Sequence, residues 1–210
     1  MRFHYGPVPE TTDFQPDQEG WQSIRVPEPI AMQIVAFPIG LMICVVVGGI
    51  ALFCLPPGLR LNDRESVELF LLLPFLVIII FLIPVHELTH ALFHPACGLS
   101  DKTIIGLWLS KGLFYAYYEE SMTRNRFLMV YAGPFIVLSL LPLGILALFK
   151  SLSVTTAWSI GFALLSLLGG VIATGDLVAF TAMMTQVPSS AIVRSKGWKS
   201  YWRSMITPAN

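Results

Sequence analysis

The chain has 210 residues, 55% of them hydrophobic and only 12% charged, with thirteen basic residues balanced by thirteen acidic ones. A soluble domain carries roughly a quarter charged residues, so much of the usual polar surface is missing. Zero net charge leaves no basic footprint for nucleic acid, and three cysteines are no disulfide framework.

Residues 1–29 are polar, proline-rich and acidic, without the basic and apolar regions of a cleaved signal. They predict a cytoplasmic N-terminal arm. Four apolar stretches follow, each long enough for a hydrocarbon core that takes about 20 helical residues to cross. The first spans Ile30 to Leu55 and closes at Pro56-Pro57-Gly58. The second runs from Leu69 through Val85, continues into His86-Glu87-Leu88-Thr89-His90 and stops at Pro95. The third covers Phe127 to Phe149, and the fourth Trp158 to Val187. Between the second and third, Thr103–Leu109 and Leu113–Tyr118 flank a Ser110-Lys111-Gly112 turn and predict a small β hairpin. The expectation is an all-α membrane protein of about four transmembrane helices with that one hairpin: an arm over 1–29, a transmembrane core over 30–187, and a basic, aromatic cytoplasmic tail over 188–210. With four spans, ten basic residues share the side of both termini and three the other, so the positive-inside rule puts both termini in the cytoplasm. The tail, Arg194 to Arg203, suits an anionic leaflet, although an ordinary juxtamembrane segment accounts for it as well. Membrane lipids are thus expected neighbours.

The chemistry concentrates at the end of the second stretch. On a helix, His86 and His90 project from one face about a turn apart and can reach one ion. Neutral imidazoles at that spacing suit Zn²⁺, and Glu87 can take the proton of a metal-bound water as general base. A polar helix end meeting the cytoplasm explains one histidine, but not a Glu and two His after an uninterrupted apolar run. A catalytic zinc site normally takes three protein ligands. Candidates for the third are His94, Cys97, the Glu119/Glu120 pair and Asp176. His94 lies about 12 Å from His86 along a helix axis, which suits a supporting position better. Asp176 is favoured: it is the one acidic residue of the fourth stretch, at the depth of the histidines because both spans run in the same direction, with Gly169 and Ala173 on its face allowing close approach.

His86-Glu87-Leu88-Thr89-His90 resembles the metal motif of the site-2 proteases, intramembrane zinc metallopeptidases, and a compact group of membrane zincins is similar in size and layout. The resemblance covers Leu69 to Val187. It implies an aspartate ligand from a later helix, and Gly175-Asp176-Leu177 is similar to the family's Asp-Gly motif, with the order changed. Ala132-Gly133-Pro134 resembles a Gly-Pro segment of the family; where an asparagine commonly follows, Val137 stands here. The implied function is hydrolysis of peptide bonds in a transmembrane or juxtamembrane protein substrate, with an unwound strand held on a sheet edge. Pro84 and Pro134 would loosen or simply kink their helices. A membrane metal enzyme acting on lipid and a non-proteolytic metal-binding or scaffold protein are the rivals. Four histidines are too few for an iron-dependent membrane oxygenase. The sequence names no oligomeric state.

Overall fold

The computed structural model describes residues 1–10, 12–27, 29–55, 80–153 and 158–205. Helix α1 (Pro29–Cys54) is apolar on every face and carries Pro38 in its interior. Phe37, Leu52 and Phe53 are each more than 70% exposed along it. A helix of this length with large apolar side chains all round is long and apolar enough to cross a membrane. Helix α2 (Ile80–Leu92) is shorter. Strands β3 (Thr103–Trp108) and β4 (Leu113–Tyr118) form the expected hairpin, with Gly112 in the left-handed conformation at the turn. Helix α3 (Arg124–Phe135) leads through a π-helical turn, Ile136–Leu140, into α4 (Leu141–Ser151). The last apolar stretch forms α5 (Trp158–Ile172) and α6 (Thr174–Gln186).

The all-α expectation is wrong. Strands make up 18% of the chain against 58% helix, and they form two sheets of three and four strands. In the first sheet, β1 (Arg2–Tyr5) adds to the hairpin in parallel with β3, giving the order β1-β3-β4. In the second, β2 (Gln22–Ser23), β7 (Lys199–Ser204), β6 (Ala191–Lys196) and β5 (Met122–Thr123) follow in that order. The pairings Arg2↔Ile104 and Gln22↔Trp202 join residues far apart in sequence, so no local pattern announces them. Nor do the described residues hold four transmembrane helices. Among the described residues two helical stretches, Ala31–Cys54 and Arg124–Ser151, are long and apolar enough to cross a membrane, or three if α5 and α6 count as one bent span. Residues 69–79 of the expected second span lie outside the described residues.

The chain divides into two compact units, the first made of Met1–Gln33, Glu87–Gly133 and Gly175–Asn210, the second of Ile34–His86 and Pro134–Thr174. The first holds both sheets. Its core gathers Ile24, Tyr118, Phe127, Val130, Met183 and Val193 from both sheets, α3 and α6. A smaller cluster of Val8, Ile104, Tyr115 and Tyr117 lies on the first sheet. Gly106 is required there, because a Cβ at that position would run into the Tyr115 ring. The Tyr115 hydroxyl donates to the carbonyls of Gly6 and Pro7, which pins the N-terminal arm. In the second unit, Gly169 brings α5 against the Leu138 backbone, and the Ser166 hydroxyl donates to the Ser139 carbonyl at 2.9 Å. Small residues and backbone acceptors of this kind are how apolar helices hold each other without a hydrophobic drive.

Candidate metal centre

Helix α2 carries the motif as the spacing requires. His86, Glu87 and His90 offer ligand atoms that all lie within 4.8 Å of one another, and both histidines are buried. The helix ends at Leu92, and the chain just past it is held from α3: the Arg126 guanidinium donates to the carbonyls of Phe93 at 3.1 Å and His94 at 2.9 Å.

His90 is oriented by its own hydrogen bond. Its Nδ1 lies 2.8 Å from the Val130 carbonyl of α3. A carbonyl oxygen only accepts, so Nδ1 carries a proton, and Nε2 is the ring nitrogen left for a metal. Metal-ligating histidines are commonly held this way, with the second ring nitrogen donating to a backbone carbonyl. Nε2 faces the Asp176 carboxylate, with Oδ1 at 3.4 Å. Asp176 sits in the first turn of α6, where the helix dipole favours a negative charge. An imidazole nitrogen facing a carboxylate, beside a second buried histidine, offers donor types that suit Zn²⁺.

Glu87 meets the first sheet. Its Oε2 accepts the Ala116 N–H of β4 at 2.9 Å. Ala116 stands opposite Ile105 in register, and among the described residues β4 is the outer strand of its sheet. By the two-residue alternation of a strand, the backbone groups of Phe114, Ala116 and Tyr118 therefore point to the free edge. That edge, Glu87, His90 and Asp176 line one cavity of about 260 Å³. Its far wall comes from the terminal segments: Val8 of the N-terminal arm, and Ser195, Trp198 and Ser200 of the β6–β7 hairpin. The Trp198 ring meets Tyr115 edge-on at 6.3 Å, and the Tyr117 hydroxyl donates to the Ser195 carbonyl at 2.8 Å. Burial raises the phenol pKa of Tyr115, and of Tyr118 with help from Glu120, above the ordinary tyrosine value.

The other residues considered as third ligands fare differently. His94 is buried, lines the same cavity and stacks near Tyr118 at 5.4 Å. Its Nδ1 has no hydrogen-bond partner among the described residues. Cys97 is exposed, in a short helical turn where it and Ala96 take positive φ. Glu119 pairs with Arg2, and Glu120 with Lys102 at 3.0 Å. The depth expected for Asp176 is that of one straight helix, but the stretch is broken between α5 and α6, and Asp176 meets His90 from the start of α6. Sequence reasoning missed the Val130 carbonyl, the Ala116 N–H and the Arg126 cap. It also missed the tail's place beside the cavity, where Arg194 donates to the Glu119 carbonyl and the Asp13 carboxylate, and Lys196 to the Phe14 carbonyl. Only the tail left a trace, as clustered basic and aromatic residues.

Residues 79–192, just over half of the chain, match the model of a family described as putative zincin peptidase. No curated protein and no solved structure matches the chain.

Proposed function

The chain belongs to the putative zincin peptidases, a membership that implies zinc, and on that premise we propose that it hydrolyses peptide bonds of membrane-associated protein substrates. In this reading His86, His90 and Asp176 hold the metal and Glu87 is the general base. One observation carries it above the rest: Glu87, His90 with its oriented Nε2, and Asp176 line the same cavity as a free strand edge.

Zinc, when bound, supplies Lewis acidity that acidifies water and polarises the scissile carbonyl. The protein's own groups do the rest. Glu87 takes the proton of the attacking water and returns it to the leaving amine. The Ala116 N–H holds the carboxylate in place at the strand edge. The outward backbone groups of Phe114 and Tyr118 support pairing with an unwound substrate strand, which gives affinity through main-chain bonds.

The membrane setting belongs to the same proposal: an integral, multi-pass protein with both termini in the cytoplasm and cleavage at or within the bilayer. Its support is the pair of apolar helical stretches, the pairing of β2 with β7 that keeps both terminal segments together, and the concentration of ten of thirteen basic residues in the first unit. Expected partners are membrane lipids and a transmembrane or juxtamembrane protein.

The test is hydrolysis of a fluorogenic peptide library by detergent-purified protein, with and without a zinc chelator, alongside Glu87→Gln. Cleavage lost on chelation and in the variant supports the proposal. Cleavage indifferent to both overturns it. Absence of any cleavage by zinc-loaded wild type favours a membrane metal-binding or scaffold protein that retains the motif.

A further inference from the structure

We infer that Pro134 is a positioning residue for His90, acting through the Val130 carbonyl; the inference rests on the zinc reading above and deepens it. In an α-helix the N–H of residue 134 would bond to the carbonyl of residue 130. Proline has no N–H, and its ring crowds the carbonyl four residues back. Pro134 lies inside α3, so Val130 receives no helical bond from that position and its oxygen is open to another donor. That oxygen is the one His90 Nδ1 occupies at 2.8 Å. The proline thereby leaves an acceptor open for His90, holds a proton on Nδ1 and leaves Nε2 facing Asp176.

The neighbouring glycine serves the same approach. A Cβ at Gly133 would run into the Phe93 ring just beyond the end of α2, so a side chain there would have to displace that ring or part α3 from the end of the helix that carries His90. The Gly-Pro pair thus does two jobs: the glycine admits the close approach, and the proline supplies the open acceptor.

A purely structural role is the competing account, since a proline inside a helix also bends it, and the π-helical turn at Ile136–Leu140 follows directly. The two accounts separate on metal binding. If Pro134 only shapes the helix, Pro134→Ala stabilises the protein, because alanine is the better helix former, and zinc affinity stays as it was. If it serves His90, the restored N–H competes for the Val130 carbonyl, and zinc affinity falls by about tenfold or more, the usual consequence of losing a histidine's supporting partner.

The experiment measures zinc affinity of detergent-purified protein by competition with a chelator of known affinity, together with the thermal midpoint of the zinc-free form. The expected result for Pro134→Ala is a midpoint equal to or above wild type with zinc affinity reduced about tenfold. A lactic acid residue at position 134 has no N–H either and is expected to keep near wild-type affinity. Unchanged affinity in Pro134→Ala, or an equal loss with lactic acid, overturns the inference. The ¹⁵N shifts of the His90 ring give a reading independent of metal: Nδ1 protonated in wild type and a mixed tautomer in Pro134→Ala support the role, and identical tautomers overturn it. Wild type that binds no zinc would sink the metal reading itself, and the tautomer measurement still decides between the two accounts of Pro134.

Discussion

Arg126→Ala isolates the cap on the metal-motif helix. The guanidinium donates to two carbonyls just past the end of α2, at 3.1 Å and 2.9 Å. A hydrogen bond from a charged donor contributes about 1.5–3 kcal/mol when buried, and much less when water competes for it. The bond to His94 is partly buried and the bond to Phe93 exposed, so their combined loss costs about 2 kcal/mol. For a chain of this size that lowers the thermal midpoint by about 4–8 °C. Arg126→Lys can replace at most one bond at a time and should recover about half of the loss. Hydrogen exchange should quicken at the amides of residues 91–99, while zinc stoichiometry stays the same, because Arg126 touches none of the proposed ligands. A midpoint unchanged within error, with exchange at those amides also unchanged, would refute the cap.

Glu87→Gln should keep its acceptor for the Ala116 N–H and retain zinc, yet slow hydrolysis by about 10²–10⁴ in kcat, the range for a lost general base; comparable kcat would show that another group moves the proton. Trp198 is 60% exposed, so Trp198→Ala should leave stability within about 0.5 kcal/mol while raising KM for peptides with a large apolar residue facing the Tyr115–Trp198 wall. Unchanged KM across a peptide series would remove the hairpin from substrate binding. Asp13 has its carboxyl pKa held below the ordinary value by its hydrogen bond to Arg194. A depressed carboxylate stabilises the fold above its unfolded pKa, and that contribution is lost as pH falls through the folded one. Acidification below the usual carboxylate range should therefore loosen the arm, seen as a change in the emission of Trp21, which packs edge-on against Phe14 at 5.1 Å; Asp13→Asn should remove that component.

Legibility in the sequence followed the range of each interaction. Helix α1 and the β3–β4 hairpin rest on local signals, an unbroken apolar run and two β-prone segments around a glycine turn, and both form within a residue or two of where the pattern puts them. The β6–β7 hairpin is local too but lies in the stretch read as a tail, whereas β1 and β2 depend on partners about a hundred or more residues away, β3 and β7. Their short polar stretches carry no period of their own. The break between α5 and α6 was equally hidden, because hydropathy continues across it. The site divides in the same way. His86, Glu87 and His90 come from a spacing on one helix, whereas the orienting groups are backbone atoms, the Val130 carbonyl and the Ala116 N–H, which leave no mark in side-chain identity. Pro134 is the exception, a side chain whose effect is to open a backbone acceptor.

The most direct test is the zinc content of freshly purified, chelator-free protein, compared with His86→Ala and Asp176→Ala. The account predicts about one zinc per chain in wild type, as a single three-ligand site requires, and its loss in both variants. Zinc retained in Asp176→Ala would remove the aspartate from the site, and no zinc in wild type would contradict the metallopeptidase account altogether.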